Sequence, residues 1–422
     1  MGQIIFPTPA TSTGTAYSSI PPVNASSVML DGSLVVSGTY TTTITGTGGA
    51  AYLYANDDVT TITLSGATIN TSYTVQSGII VPTTAFSGTT TATIATTRSP
   101  TPPTTWTFST MSSTNTWYGV TYGLVGSTPT YVAVAENTNV GSYSNNGITW
   151  SGSTMPTTAA WVSVAYGAIS GTGYFVTVDT SNNNSAYSTN GTTWTAGAVL
   201  PNLGYTTYNS VTYGVVSGTG YFVTVGNTSI NNGAYSTDAI NWSTAGMLNI
   251  NWSSVAYGTI SGTPYFIAVS YAGTTNSTYS TNARNWNAST LPSSQYWNGV
   301  AYGNGTFIAI AVNTTAGAYS TDGMTWTAMT MPNTFHSGVT YGNGYFVAVG
   351  TSHGSYSTDG ITWTAFTMPS NAGSASWSAI TYGNRYFVTV PVAASISGAY
   401  YNFPLLPPIT FGIYNGPTSH IN

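Results

Sequence analysis

Cysteine is absent from all 422 residues, which removes a disulfide framework, a thiolate metal site and a cysteine nucleophile. Lysine is absent too. The cations are Arg98, Arg284 and Arg385, and charged residues make up 3% of the chain, against about 25% in an average soluble domain. Positive charge this sparse cannot release counterions from phosphates, so nucleic acid and acidic membrane surfaces are excluded as partners. Long apolar runs are missing as well: nothing approaches the roughly 18 residues of a membrane-spanning helix, and no membrane insertion is expected. The opening MGQIIFPTPATSTGT has neither the basic start nor the apolar stretch of a cleaved export signal, and Phe6 stands where a myristoylation pattern needs Ser or Thr. Low charge does not imply disorder here. With 41% hydrophobic and 14% aromatic residues at a net charge of -5, the chain has ample material for a core.

What is present is a repeat. A Tyr-Gly pair closes a short apolar run at Tyr122, Tyr166, Tyr213, Tyr257, Tyr302, Tyr341 and Tyr382, at intervals of 39 to 47 residues. Five positions before each stands Trp117, Trp161, Tyr208, Trp252, Trp297, His336 or Trp377. An alternating run such as YFVTV or YFIAV follows, then a Tyr-Ser, and seven residues after that tyrosine a tryptophan: Trp150, Trp194, Trp242, Trp286, Trp326 and Trp363. Period-2 alternation bounded by Gly and Asn reads as strands, and nothing shows helical spacing. Four strands in a period of about 40 to 45 residues describe a β-propeller blade.

The seventh unit lacks its outer strand downstream, but TTWTFSTM at 104–111 matches ITWTAFTM at 361–368. The expected fold is therefore all-β: a seven-bladed propeller over 98–402, closed by an N-terminal strand at 104–108 that supplies the outer strand of the last blade. In this reading Trp106, Trp150, Trp194, Trp242, Trp286, Trp326 and Trp363 are structural, packed between blades. The turn between third and fourth strands carries Asp-Gly or Asn-Gly in blades one, two, five and six, where positive φ is inexpensive. Blades three and four place Asp238-Ala239 and Asn282-Ala283 there, which is expected to strain or widen the turn. Residues 26–97 fall outside the period and read as a small β-sandwich or jelly-roll-like domain for anchoring or assembly, after an extended arm at 1–25. The Pro-rich tail, 403–422, is expected to lie across a propeller face or a neighbouring subunit.

The segments YSTDGMTW (319–326), YSTDGITW (356–363), YSTNGTTW (187–194) and YSNNGITW (143–150) resemble the Asp-box, or bacterial neuraminidase repeat, Ser-x-Asp-x-Gly-x-x-Trp, with a turn one residue shorter. The resemblance covers about 106–401 and is strongest to sialidase-like propellers of phage tail fibres and other virion proteins. It implies fold rather than activity, and a structural role for Asp322 and Asp359.

Sialidase-type catalysis, as that family performs it, needs an arginine triad; the repeats between 106 and 401 hold Arg284 and Arg385 alone. A carboxylate pair for glycoside hydrolysis reduces to Glu136 and Asp179, because Asp238, Asp322 and Asp359 fall at the turns. No catalytic residues are therefore assigned. His336, His353 and His420 share no ligand spacing, and Asp57-Asp58 reads as a turn, so no metal and no cofactor are expected. Binding by neutral groups remains. Loops ENTNVG (136–141), DTSNNNS (179–185), GNTSINN (226–232) and YAGTTNS (271–277) place amides near the start of the first strands, and amides beside aromatic rings suit sugars. The candidate ligand residues are Trp117, Trp161, Trp252, Trp297, Trp377, Asn182, Asn183, Asn184, Asn231 and Asn232.

The expectation is a non-enzymatic, phage-like virion surface protein, a tail fibre, spike or head fibre, located on the virion surface or outside the cell. Its partners would be other virion structural proteins, further copies of itself as a homo-oligomer, and a host surface glycan. Two alternatives stand beside it: a capsid or tail decoration protein that binds no receptor, and a secreted lectin or glycosidase of a cell. Four adjacent blades also carry longer Ser-Gly hairpins after the Tyr-Gly pair, a raised sector expected to contact a neighbouring subunit.

Overall fold

The computed structural model describes residues 102–201, 207–227, 233–369, 376–392 and 395–403, together with the backbones of eight strands in the two flanks. The chain divides into two compact units, Pro102–Phe403 and the paired flanks Met1–Thr101 with Pro404–Asn422.

Pro102–Phe403 is a seven-bladed β-propeller, each blade a four-stranded antiparallel meander. The first strands are Trp117–Val125, Trp161–Ile169, Thr207–Val216, Trp252–Ile260, Trp297–Gly303, His336–Gly342 and Trp377–Gly383. Second strands such as Thr306–Ala311 are buried on both sides because each faces two neighbouring blades, which explains continuous apolar runs where a one-faced strand would alternate. The last blade takes its outer strand from Thr107–Asn115, which pairs with Ser395–Asn402. Closure from the N-terminal side is thus as expected, although the strand begins beyond Trp106 and runs past 108. Trp106 itself turns into the core and donates its indole N–H to Pro103 O at 2.9 Å.

The Tyr-Gly pair is a contact between blades. In each blade the tyrosine ring lies over an aromatic of the second strand, as Tyr166 does on Phe175 at 4.8 Å and Tyr302 on Phe307 at 4.7 Å. The same ring covers the glycine of the preceding blade. A Cβ on Gly167 would meet Tyr213 at 2.1 Å, and one on Gly303 would meet Tyr341 at 2.0 Å. The tyrosine hydroxyl then donates backward: Tyr166 to Leu124 O and Tyr257 to Val215 O, both at 2.6 Å.

The turns between third and fourth strands share one hydrogen-bond set. Asp322 Oδ1 accepts from Met324 N at 2.8 Å and Thr325 N at 2.7 Å, while Ser320 Oγ accepts from Gly323 N at 2.9 Å. Asn146, Asn190 and Asn282 accept the same bonds through an amide oxygen, so the Asp-to-Asn exchanges preserve the turn. The exceptional turns are not widened. Ala239 and Ala283 adopt φ of 67° and 66°, the left-handed conformation that Gly147 holds at 72°.

The flanks contribute two further four-stranded antiparallel sheets. One is notable for its connectivity: Ile409–Tyr414 from the tail pairs with Ser27–Leu30 on one side and Ala51–Ala55 on the other. The run ITFGIY thus completes a sheet in the flanking unit, where the expectation had the tail covering another surface. The arm at 1–25 and Asp57-Asp58 lie outside the described residues.

Candidate functional site

The ring has two ends. At the hairpin end, first strands turn into second strands, and the first four blades extend further than the last three. Tyr166 and Tyr257 brace two of those longer hairpins, whose tips leave Leu124 and Val215 exposed.

At the loop end, the second strand turns into the third and one blade passes to the next. One latch recurs there: the first residue after the second strand donates its N–H to the residue just before the first strand. Glu136 N reaches Thr116 O, Thr180 N Ala160 O, Tyr271 N Asn251 O, Val312 N Tyr296 O and Val392 N Ser376 O, at 2.8 to 3.1 Å. These bonds fix the backbone of this face independently of side-chain identity, which frees those positions to vary.

The five tryptophans expected to meet a ligand do not reach this surface. Trp117, Trp161, Trp252, Trp297 and Trp377 each have 0% of their area exposed and pack among second-strand side chains. Burial of so large a ring between blades is its contribution. Trp161, Trp252 and Trp297 spend the indole N–H on connector carbonyls of Thr157, Leu248 and Ser293, at 3.1 to 3.2 Å.

The Asn182–Asn184 loop is largely consumed by its own structure. Asp179, fully buried, accepts from the backbone N–H of Ser181, Asn182 and Asn184 at 3.0 to 3.3 Å, and from Asn184 Nδ2 at 2.9 Å. Asn183 is buried in a left-handed conformation, its carbonyl accepting from Leu200 N at 2.9 Å. Asn182 alone of the three has an exposed side chain. Asn231 and Asn232 lie outside the described residues.

Of the seven outer-strand tryptophans, Trp106, Trp150, Trp194, Trp326 and Trp363 are buried and Trp242 and Trp286 half-buried, each within or against an inter-blade cluster. Asp322 and Asp359 hold the turns: burial pushes each carboxyl up, but hydrogen bonds from Thr325 and Met324, or Thr362 and Ile361, prevail and hold it below the usual range. Of the two acids left for hydrolysis, Asp179 is enclosed as above, and Glu136 is half-buried at the start of its loop. Among the described residues no three His, Asp or Glu side chains are grouped to hold a metal ion.

Aromatic surface at the loop end comes instead from residues outside the repeat. Tyr271, 40% exposed, and Tyr296, 51% exposed, pair at 5.1 Å between ring centroids with their planes 51° apart. Phe335, 49% exposed, marks the next blade junction at φ 63°, a conformation that costs a bulky residue about 1 to 3 kcal/mol. Two histidines secure that junction: His353 Nε2 bonds Thr334 O at 2.6 Å, and His336 Nε2 bonds Ser355 Oγ at 3.0 Å. The sequence did hold a signal for these rings. At the position before the repeated aromatic, the other blades carry Thr116, Ala160, Thr207, Asn251 and Ser376, so Tyr296 and Phe335 depart from the repeat.

No protein-family model matches the sequence, and no curated protein does. Solved structures do match in fold. A streptogramin B lyase aligns with a TM-score of 0.58 at 14% identity, covering 71% of this chain and 98% of that one. Virginiamycin B lyase from Staphylococcus aureus aligns with a TM-score of 0.57 at 12% identity, covering 74% and 99%. A YCF48 bound to D1 peptide aligns with a TM-score of 0.54 at 14% identity, covering 71% and 95%. At such identities the likeness is one of fold, the propeller ring itself.

Proposed function

We propose that the protein is a non-enzymatic, phage-like virion surface protein whose propeller adheres to sugars on a host surface while the flanking unit anchors it. The observation that carries this reading is that the chain enters and leaves the ring at one place. Trp106, at the entry to the propeller, and Phe403, at its exit, share one aromatic cluster with Phe387 and Tyr401. Arg385 fastens the exit by donating to Phe403 O at 2.6 Å. Beyond these points both termini build one sheet. A ring entered and left at one place suits a module carried on an attachment.

The turns agree with the Asp-box resemblance, because Ser and Asp or Asn act there as hydrogen-bond acceptors within the hairpin. Lyase activity, which the streptogramin B and virginiamycin B proteins carry by name, is not proposed here. Asp179 is committed to its own loop and His336 has no exposed surface, so neither is placed to meet a substrate.

The alternative of a decoration protein is favoured by one feature, the raised arc of hairpins with Leu124 and Val215 exposed at its tips. Antibody raised against the full chain separates these readings when applied to native particles. Adhesion requires labelling of particles and block of their attachment to host cells. Labelling without block supports decoration, and unlabelled particles refute both.

A further inference from the structure

The repeat explains most of this molecule's aromatic residues, and the exceptions are informative. Tyrosines of the Tyr-Gly ring and tryptophans of the blades are buried or half-buried because they hold blades together. Tyr271 and Tyr296 do neither. They lie at the two latch positions of the loop end, where the other blades place Thr, Ala, Ser, Asn, Glu or Val, apart from Phe335 in the sixth. About half of each ring stays in water, and two adjoining exposed aromatic faces point to a partner.

Their setting is fixed in advance. The Tyr271 N–H is pinned to Asn251 O at 3.0 Å, and Val312 N–H pins Tyr296 O at 3.0 Å. Gly273, at φ 64°, carries the loop beneath the Tyr296 ring: a Cβ there would sit 3.4 Å from it. Among the described residues neither phenol hydroxyl has a hydrogen-bond partner, so each ring offers a face and a free polar tip.

The charge around the ring narrows the ligand. Arg284 is spent at the outer rim, over Tyr221 and Tyr235 at 5.8 and 5.4 Å. Arg385 is spent on Phe403 O. Neither is available to pair with the carboxylate or sulfate of an acidic sugar, and the chain contains no lysine.

We infer that Tyr271 and Tyr296 form a binding site for a neutral pyranose, the apolar face of the sugar against the rings and its hydroxyls against the phenols. This rests on the adhesion reading and specifies which sugars it concerns. It places recognition at the junction of the fourth and fifth blades, on residues that depart from the repeat.

The test uses the full chain on a panel of neutral oligosaccharides ending in galactose, glucose or N-acetylglucosamine, with sialylated and sulfated counterparts. Binding to one or more neutral glycans is expected. Tyr271→Ala and Tyr296→Ala should each weaken it about tenfold or more, while Tyr271→Phe and Tyr296→Phe, which keep the packing of the rings, hold the unfolding temperature and weaken binding less. Thr180→Ala, at the equivalent latch of another blade, is the control expected to bind normally. Neutral binding that survives both alanine variants overturns this site but leaves adhesion standing, as does binding restricted to acidic glycans. Failure to bind any glycan overturns the adhesion reading together with the site.

Discussion

Gly383 and Tyr122 close the ring: the glycine ends the last blade's first strand, and the ring of the first blade's tyrosine lies over it so closely that a Cβ would come within 2.0 Å. The same seam holds a second bond, from Tyr131 Oη to Gly383 O at 2.5 Å, and a third, from Ser378 Oγ to Trp117 O at 2.6 Å. Gly383→Ala therefore forces apart the packing of the last blade against the first. A loss of about 3 kcal/mol or more is expected in chemical denaturation. Gly126→Ala, at a hairpin tip with nothing within 4 Å, should lose only about 1 kcal/mol, from its φ of 62°. Equal losses would show that the seam bears no special strain.

The turns offer a paired comparison. Gly147 has φ 72°, and a Cβ there would meet Val388 Cγ2 at 2.7 Å; Ala239 has φ 67° and is buried in its cluster. Gly147→Ala combines backbone strain with a clash and should destabilise by about 2 kcal/mol or more. Ala239→Gly relieves strain but removes a packed methyl, two effects of about 1 kcal/mol each, and should leave the melting temperature almost unchanged. A large gain from Ala239→Gly would mean that its methyl packs against nothing.

Acid sensitivity should begin above the range of the carboxylates. Burial first, and the nearby His353 second, push His336 down from 6.5 to about 4, and its Nδ1 has no partner. The unfolded chain takes up this proton near pH 6.5 while the folded chain resists it until about 4. Stability from this group is therefore complete above pH 6.5 and declines as pH falls toward 4, by about 3 kcal/mol in all. The turn aspartates, with lowered pKa values, lose their contribution only at still lower pH. Urea midpoints between pH 7 and 4 should fall for the native chain and flatten in His336→Phe; an unchanged slope would assign the loss elsewhere.

Trypsin should spare the propeller. Arg284 is followed by Asn285, whose backbone bridges to Gly246 of the neighbouring blade, and Arg385 sits in a tight hairpin with its guanidinium on Phe403 O. Mass spectrometry of a native digest should show no cleavage after either residue until the chain is unfolded. Early cleavage after Arg284 would mean that the rim between the third and fourth blades opens locally.

The ring was legible because its signals are local and repeat. Tyr-Gly, Tyr-Ser and the outer tryptophan fix strand order, and the displaced TTWTFSTM segment discloses the closure. What the Tyr-Gly glycine does was not legible, because its neighbour is the tyrosine of the next blade, about one period downstream. The burial of the five first-strand tryptophans was hidden for a related reason. Periodicity marks what a fold needs, so Trp117, Trp161, Trp252, Trp297 and Trp377 are core, while the exposed rings at Tyr271, Tyr296 and Phe335 break the pattern. The strand Ile409–Tyr414 alternates visibly, but its partners Ser27–Leu30 and Ala51–Ala55 lie at the opposite end of the chain, beyond any local rule.

That last pairing orders events during synthesis. The sheet that includes Ser27–Leu30 and Ala51–Ala55 lacks the strand between them until Ile409–Tyr414 has been synthesised. The propeller, whose strands all precede Phe403, has its complete set earlier. A chain stopped between Phe403 and Ile409 would carry every strand of the ring and leave Ser27–Leu30 and Ala51–Ala55 without the strand that joins them.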